Sequence, residues 1–564
     1  MKRFAGIVIA LCALPLAAQI ELVHLAGGNR PPVDGPKGSL EGTVVNSVTG
    51  APIKKAQVFI NSMTGVSQSS AVTDLSGRFV ARDLAPGGYM LSAAHDQFPN
   101  FGGRHGNPFS NVTLQPGERK TDVSIALTPG ASLSGRVVDE AGDPMSNCSV
   151  QPMHFQQQGN KRMLAPAGGS QSDDRGEYRT YNLPPGRYFL EVNCQRQIPT
   201  GHPLSKMTEF RGPPPVEEVY EPAFYPSSET LAGAVQVNLA PGYETRGIDF
   251  QLRRVRAVTI RGKLEVPDSG GQETQNFNVQ LIPKDPILAN TFRRRGGGVN
   301  GNTRQFWIQG VTPGSYWLIA NSFLPQGFTQ MGRMSIDVGD TPLADLLVPL
   351  VNGVDIHGRV EMDENGAEAF KNTRVWLNPY EDGMGFGGQA NVEVKEDGTF
   401  ILPHVLPGTY ELNCQLPNGH IKSLTFGEQD VHGRTLIVGP GTTGPLRIVV
   451  GTKAAHIEGT VSDVAGAAAG VMVALVPAGD AFLSNAPNSG VDSNGHFDLQ
   501  NVAPGEYRLY AFQGADWGLT QNAALLKKLE SRSESFRVSE GEQVSKQLSL
   551  IPASVIAEAE DALE

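Results

Sequence analysis

Five stretches of the chain share one alternating pattern of apolar and polar residues around a [Leu/Val]-x-Pro-Gly-x-Tyr hexapeptide. After each hexapeptide tyrosine every second residue is apolar, as in Tyr89-Leu91-Ala93 and Tyr188-Leu190-Val192. A period of two is typical of a β-strand with one buried side. The pattern therefore predicts five strands whose tyrosine side faces a core. The hexapeptides are Leu84–Tyr89, Leu183–Tyr188, Val311–Tyr316, Val405–Tyr410 and Val502–Tyr507.

Two further features accompany each hexapeptide: an aromatic residue ten positions before the tyrosine, and an earlier apolar-x-Gly-x-apolar strand start. The strand-start glycines are 93, 127, 96 and 101 residues apart. Such unequal spacing favours separate domains in tandem over a solenoid, whose repeats are shorter and more regular. The aromatics are Phe79, Tyr178, Phe306, Phe400 and Phe497, and the glycines are Gly42, Gly135, Gly262, Gly358 and Gly459.

The Pro-Gly pair of each hexapeptide predicts a tight turn. Proline fixes φ at the second turn position and glycine accepts a positive φ at the third, which suits type II geometry. Short alternating strands between regular turn signals predict an all-β chain of five sandwich domains with about seven strands each. The predicted turn residues are Pro86, Gly87, Pro185, Gly186, Pro313, Gly314, Pro407, Gly408, Pro504 and Gly505.

The repeats divide the chain into predicted domains. Residues 1–19 have the basic start, apolar run and small-residue end of a signal peptide, and 20–37 form a linker. Helix is predicted only at Ala523–Glu530, and the acidic tail 554–564 is predicted to be disordered or a frayed helix. The predicted sandwiches are 38–129, 130–253 (with a Pro-rich insertion at 196–230), 254–352, 353–452 and 453–553.

The combination of glycine strand, turn and hexapeptide resembles the carboxypeptidase regulatory-like domain. This resemblance implies a transthyretin-like, Greek-key β-sandwich. The chain is also similar to collagen-adhesin B-type repeats and to domains with the starch-binding-like fold. Because the shared residues are architectural, the resemblance predicts the fold more strongly than the function.

The net charge and the predicted leader limit the class of partner and the cellular location. The chain has 46 Lys and Arg against 57 Asp and Glu, a net charge of −11. An acidic chain is unsuited to nucleic acid, which requires a basic face. A cleaved leader, with no later apolar run of ~18 residues, predicts a secreted, periplasmic or cell-envelope protein without a membrane anchor of its own.

The sequence contains no motif for catalysis. Its 11 histidines are scattered, without His-x-x-Glu or His-Glu-x-x-His spacing, and nucleophile-elbow and phosphate-loop motifs are missing. We therefore predict a non-enzyme without cofactor or metal. Cys148 and Cys194 both point to the second core, either as a disulfide or as two small buried hydrophobic residues. Cys414 is predicted to be a free buried thiol.

Two regions could contact a ligand. The insertion carries Tyr220, Phe224 and Tyr225, and serves either as a contact arm or as a clamp on a neighbouring domain. Trp307, Trp317 and Trp376 point away from their cores if the alternation holds. Exposed tryptophans can stack on sugar rings, whereas the alternative is packing at inter-domain contacts or under loops.

Three classes of function remain open. The first is an exported binding or scaffold protein, with a polysaccharide or another envelope protein as its partner. The second is a structural spacer or assembly protein that binds no glycan. The third is an accessory subunit of a secreted hydrolase or outer-membrane transporter. The sequence does not separate these classes, because the repeated residues build the scaffold.

Overall fold

The chain is all-β and consists of five tandem β-sandwich domains. The computed structural model describes residues 35–563 except 63–67, 100–109, 159–160, 195–215, 268–275, 325–326, 363–369, 371–372, 380–390, 416–418, 432–433, 443, 464–470, 479–485, 493 and 515–517. The predicted leader and most of the predicted linker lie outside these residues. Within this part of the chain, no helix is long and apolar enough to span a membrane.

The first sandwich shows the plan most simply. One sheet has the order β4-β1-β7, in which β1 pairs antiparallel with β4 and parallel with β7. The other has the order β3-β2-β5-β6. The facing sides enclose an apolar core that includes Leu40, Val58 and Leu91. The strands are β1 Gly38–Asn46, β2 Gln57–Ser62, β3 Gln68–Val72, β4 Arg78–Leu84, β5 Gly87–Ala94, β6 Ser110–Leu114 and β7 Arg119–Leu127.

The second sandwich adds short strands to this plan. Its sheets have the orders β12-β8-β17 and β10-β9-β13-β15, with β18 on β8, β11 on β9 and β16 on β13. The strands are β8 Ala131–Val138, β9 Ser149–Gln158, β10 Lys161–Pro166, β11 Ser170–Gln171, β12 Glu177–Leu183, β13 Gly186–Asn193, β14 Val216–Tyr220, β15 Ala223–Phe224, β16 Val237–Leu239, β17 Glu244–Thr245 and β18 Phe250–Gln251.

The third sandwich differs because one strand, β21, pairs with both β20 and β22 and so joins the two sheets. The joined sheet has the order β14-β19-β22-β21-β20-β23-β24-β26, with β25 on β19. The strands are β19 Arg254–Glu265, β20 Asn276–Pro283, β21 Arg295–Val299, β22 Gln305–Val311, β23 Gly314–Leu324, β24 Gly327–Val338, β25 Leu343–Pro349 and β26 Val351–Asn352. A 3₁₀ turn, Pro286–Leu288, follows β20.

The fourth sandwich has sheets ordered β30-β27-β35-β32-β33 and β29-β28-β31-β34, and the fifth β39-β36-β42 and β38-β37-β40-β41. The fourth comprises β27 Val354–Met362, β28 Arg374–Pro379, β29 Asn391–Glu393, β30 Thr399–Val405, β31 Gly408–Gln415, β32 His420–Phe426, β33 Gln429–Asp430, β34 Thr435–Val438 and β35 Leu446–Gly451. The fifth comprises β36 Ala455–Ser462, β37 Val471–Pro477, β38 Asn488–Gly490, β39 His496–Val502, β40 Gly505–Gln513, β41 Glu534–Val538 and β42 Gln543–Ser549.

Helix occurs in the fifth sandwich, where α1 spans Ala523–Lys528 and α2 spans Ala553–Asp561. The prediction of helix at 523–530 is confirmed, and of the two predictions for the tail, disordered or a frayed helix, the structure has a helix. Ile556 of α2 is buried with Leu525 of α1 against Tyr510 and Phe512, on the side of the sheet that faces away from the core. The tail is helical because this apolar surface gives its apolar side chains a place to pack.

The strand-start glycine and the aromatic residue of each repeat are cross-strand partners. Gly42 lies opposite Phe79, and a Cβ at Gly42 would meet both the Phe79 ring and the Val123 carbonyl oxygen. In the second sandwich Tyr178 takes the aromatic position and donates a 2.6 Å hydrogen bond to the Ile248 carbonyl. The glycine is thus required for space. The remaining pairs are Gly262–Phe306, Gly358–Phe400 and Gly459–Phe497.

The hexapeptide tyrosine closes each turn through its hydroxyl group. Tyr89 donates to the Ala85 carbonyl at 2.8 Å and Tyr188 to the Pro184 carbonyl at 2.7 Å. The other three tyrosines donate to the residue four positions earlier in the same way, at distances of 2.8–3.1 Å. The inward rows of all five strands are buried as predicted, except that Cys414 is only half-buried.

The type II prediction is wrong. Type II geometry requires a φ near +80° at the glycine, but φ is 145°, 151° and 159° at Gly87, Gly186 and Gly314, and φ at Gly408 and Gly505 lies outside the range from +20° to +160°. The left-handed residue instead stands just before each hexapeptide, within a β-bulge against the first strand of each sandwich. These residues are Asp83, Asn182, Gly310, His404 and Asn501, with φ from 50° to 65°.

The sandwiches contact one another both in and out of chain order. Strand β24 of the third lies against β30 of the fourth, its neighbour in the chain, whereas the 3₁₀ turn Leu519–Gln521 of the fifth lies against β9 of the second. Leu519 and Thr520 are each only 5% exposed. The chain is therefore folded back on itself.

Candidate functional site

The most elaborate site in the described structure is the junction between the second and third sandwiches. It is formed by the connection between β13 and β16, which carries the predicted insertion. Within this connection Val216–Tyr220 forms β14, which pairs antiparallel with Arg254–Val258 of β19 in the third sandwich. Of the two interpretations of the insertion, this part acts as a clamp on the neighbouring domain. Residues 195–215, which include the three consecutive prolines, lie outside the described structure.

An apolar cluster fills the junction. Met153, Phe189 and Phe224 lie on the outer side of the second sandwich's larger sheet and are at most 8% exposed. Ile287 and Leu288, from the 3₁₀ turn after β20, pack against them. Because outward strand positions normally face water, the burial of this surface depends on the neighbouring domain. The two sandwiches thus form an additional apolar core at their junction, separate from the core inside each sandwich.

One carboxyl group lies at the centre of the junction. Glu191 of β13 is 1% exposed, and both of its carboxyl oxygens lie within hydrogen-bond distance of the Phe292 backbone amide, at 2.9 and 3.1 Å. Burial raises the pKa of Glu191 to about 8, against the opposing effect of the Phe292 amide and of the Arg293 and Arg295 charges. Burial likewise holds the pKa of Arg295 below its usual range. The charged form of Glu191 is therefore disfavoured at neutral pH.

A buried ion pair accompanies this carboxyl. The Arg293 guanidinium donates to the Glu221 carboxylate at 2.9 Å, with 11% and 15% of the two side chains exposed. Arg293 also donates to the backbone carbonyls of Pro222 and Glu229. Its Nε is buried and has no partner among the described residues. Two parts of the insertion, residues 221–222 and Glu229, are therefore held by one side chain of the third sandwich.

The aromatic residues of the insertion that were predicted to contact a ligand are instead packed or hydrogen-bonded within the protein. Phe224 is fully buried in the junction cluster and is not available to a ligand. Tyr225 packs against the second core, and its ring lies edge-on to that of Phe250 with the two ring centroids 5.9 Å apart. The Tyr220 hydroxyl accepts hydrogen bonds of 3.0 and 3.1 Å from Arg254. The three do not form one exposed surface.

The tryptophans are half-buried on the outer sides of their sheets. Trp317 packs against Ile282, Ala289 and Ile319, and the Arg333 guanidinium lies 3.9 Å from its ring centroid. In the third sandwich Gly298 lies against the Trp307 ring, where a Cβ would clash. Trp376 is on β28 of the fourth sandwich, so the three tryptophans belong to two domains.

The two cysteines of the second core are joined. Cys148 and Cys194 form a disulfide with a Cα–Cα distance of 4.2 Å, linking the start of β9 to the end of β13. Cys414 is a free thiol, and burial raises its pKa to about 12. Within the described ranges, no group of three or more His, Cys, Asp or Glu side chains could hold a metal ion.

Sequence reasoning missed Glu191, Glu221 and Arg293. The first stands at an outward strand position, where a charged residue normally indicates a solvated surface. The signal that was available is the run Arg293-Arg294-Arg295, in the one repeat that lacks the usual turn of an acidic residue followed by glycine. This exception to the repeat coincides with the segment that enters the junction.

One domain of the chain matches a known family model, and the chain is similar to several solved structures. No curated protein matches this chain in sequence. Among solved structures, the chain is similar to the minor pilin GBS52 of Streptococcus agalactiae (10% identity, 38% of this chain, 96% of that chain, TM-score 0.23). It is also similar to the shaft pilin SpaA of Lactobacillus rhamnosus GG (7% identity, 39% of this chain, 97% of that chain, TM-score 0.20).

A third similar structure is the Bacillus anthracis TIE protein, with 12% identity and a TM-score of 0.17. The alignment covers 56% of this chain and spans about half, 51%, of the TIE protein. At the level of sequence, residues 39–128 match the model of the carboxypeptidase regulatory-like domain. The resemblance drawn from the repeats is thereby confirmed, and the matched residues are those of the first sandwich.

Proposed function

We propose that the protein is a non-enzymatic, exported scaffold in which the second and third sandwiches form one rigid unit. The observation that carries this proposal is the shared junction, where β14 of one sandwich extends the sheet of the next. Strand addition, an apolar cluster and a buried ion pair together exceed what a flexible linker between independent domains requires. The fold therefore serves to hold surfaces in fixed relation.

Export is supported by the disulfide of the second core. Disulfides persist in oxidising compartments and are rare where thiols are kept reduced. The Cys148–Cys194 bond is therefore in keeping with a secreted, periplasmic or cell-envelope location. The folded-back contact between the fifth and second sandwiches favours a compact scaffold over an extended spacer.

Carbohydrate binding is the alternative within this proposal, and it has less support. Stacking on a sugar requires an open aromatic face. The Trp317 ring has the Arg333 guanidinium beside it and apolar neighbours below, so its faces are partly occupied. An envelope protein is the more suitable class of partner, because a fixed arrangement of sandwich surfaces matches another folded protein better than a flexible glycan.

The rigid unit is tested by a distance measurement between spin labels. Tyr181 of the second sandwich and Leu347 of the third are 65% and 53% exposed, and cysteines at these positions can be labelled in a Cys414→Ser background. We expect a distance distribution as narrow as that of the control pair Tyr181 and Val235, both within the second sandwich. A broad distribution would overturn the proposal. Retention on a polysaccharide panel would favour the carbohydrate alternative.

A further inference from the structure

We propose that the junction between the second and third sandwiches is a pH-sensitive joint, tight when Glu191 is protonated and loosened when Glu191 ionises. The inference rests on the proposed rigid unit and adds a means of regulating it. It starts from geometry. The Glu191 carboxyl group is enclosed between two domains, and the hydrogen-bond donor that it has among the described residues, the Phe292 amide, belongs to the other domain.

The surroundings determine the direction of the effect. Glu191 lies opposite Phe224 of β15 and Gln151 of β9, which are an apolar and a neutral side chain. From the third sandwich, Arg293 and Arg295 face it and favour its charged form. Arg293 is already paired with Glu221, and much of its charge is therefore compensated. Desolvation is the larger effect, so the enclosed carboxyl is more stable neutral than charged.

Opening the joint reverses this preference. When the segment Pro286–Leu288 and Phe292 leave the second sandwich, Glu191 faces water and its pKa returns toward the ordinary 4.5. The closed joint has the raised pKa, so its extra stability is fully present below about pH 4.5 and is lost as the pH rises to about 8. The closing equilibrium then changes by on the order of 10³ across this interval, as an upper limit.

Loosening does not separate the domains. Strand β14 stays paired with β19 through backbone hydrogen bonds that do not titrate, so the insertion remains a tether. The apolar cluster around Phe189 and Leu288 would come apart only at the surface that Glu191 shares with the turn after β20. The expected change is a wider range of angles between two tethered sandwiches.

The test uses the same spin-label pair, Tyr181 and Leu347, in the full chain at pH 5.0, 6.5 and 8.5. We expect the distance distribution to broaden at least twofold between pH 5.0 and 8.5. In Glu191→Gln, a neutral side chain of the same shape, the distribution should stay narrow at every pH. The matched control is Glu411→Gln, a buried glutamate of the fourth sandwich that is 3% exposed, which should keep the broadening.

The outcomes separate this inference from the proposed function. A narrow distribution at all three pH values in the unmodified protein would overturn the pH-sensitive joint and leave the rigid unit standing. A broad distribution at all three values would overturn both. Broadening that persists unchanged in Glu191→Gln would assign the pH response to another group and would also overturn the inference. Far-UV circular dichroism of each variant at each pH establishes that the sandwiches remain folded.

Discussion

The hydroxyl of Tyr89 donates a 2.8 Å hydrogen bond to the carbonyl oxygen of Ala85, four residues earlier. The same bond occurs in each of the five sandwiches. Tyr89→Phe removes the donor and leaves the Ala85 carbonyl unsatisfied. We expect a loss of about 1 kcal/mol in the stability of the first sandwich.

Hydrogen exchange of peptides from β5, followed by mass spectrometry, checks this loss through faster exchange in Tyr89→Phe. The control is Tyr181→Phe, because Tyr181 is 65% exposed and has no hydrogen bond in the described structure. It should leave exchange unchanged. Equal exchange in Tyr89→Phe and the unmodified chain would mean that the hydroxyl contributes nothing to the turn.

Gly262→Ala should destabilise the third sandwich by about 1–3 kcal/mol. The new methyl group would meet the Phe306 ring and the Leu346 carbonyl oxygen, and backbone atoms do not move aside at low cost. Gly339→Ala, in the same sandwich, is the control, since a Cβ there has no atom within 4 Å. Calorimetry of both variants compares the transition temperatures, and equal temperatures would contradict the packing argument.

The disulfide closes a loop with a sequence separation of 46. Cys148→Ser with Cys194→Ser should cost about 4 kcal/mol from loop entropy in the unfolded chain. Thiol counting tests the bond itself in a chain that lacks residues 1–19. After denaturation without reductant we expect one alkylatable thiol, Cys414, and three with reductant. Three thiols without reductant would show that the bond is missing.

Cys414 should be unreactive in the folded protein. Burial raises the pKa of its thiol to about 12, so the reactive thiolate is scarce at pH 8. Iodoacetamide should therefore label Cys414 at least tenfold more slowly in the native chain than in urea. Labelling at the rate of a free thiol would indicate that this part of β31 opens readily.

The helix α2 should stabilise the fifth sandwich through Ile556, which is 6% exposed. Ile556→Asp buries a charge against Tyr510 and Phe512, and we expect a loss of about 2–4 kcal/mol together with increased binding of a hydrophobic dye. Ala557→Asp introduces the same charge on the exposed side of the same helix and serves as the control. Equal dye binding by both variants would contradict the packing of α2.

Trp317→Ala should lower the stability of the third sandwich by about 1–3 kcal/mol, because its ring packs against Ile282 and contacts Arg333. Combined with Trp307→Ala, it should leave polysaccharide retention unchanged. The sugar-binding hypothesis makes the opposite prediction for both quantities, with weaker retention at constant stability. The two measurements on the double variant therefore distinguish a packing role from a recognition role.

The repeated architecture was predictable because it follows from local rules. Alternation assigns Tyr89 and Leu91 to one side of a strand, and the structure buries both. The turn geometry was mispredicted because the Pro-Gly pair is the stronger sequence signal. The actual left-handed residues, such as Asp83, Asn182 and His404, stand directly before the hexapeptide, three positions ahead of its proline. Aspartate and asparagine tolerate that conformation, so a signal was present.

The junction was not predictable in the same way. Glu191 occupies an outward position of β13, and only contact with Phe292, 101 residues later, makes it a buried group. Alternation specifies which side of a strand faces the local core, but it carries no information about what covers the other side. The packing of the tail was missed for the same reason, since Ile556 is buried only because a distant sheet presents an apolar surface to it.

The contact between Leu519–Gln521 and β9 has a mechanical consequence. A linear series of domains under tension would unfold one domain at a time, and the initial length of the chain would be set by the number of domains. In this chain the segment from the second to the fifth sandwich is closed into a loop by that contact. A pulling force on the two ends of the chain would first have to break this contact. The reversible extension before any sandwich unfolds would then equal the length of chain that the opened loop releases.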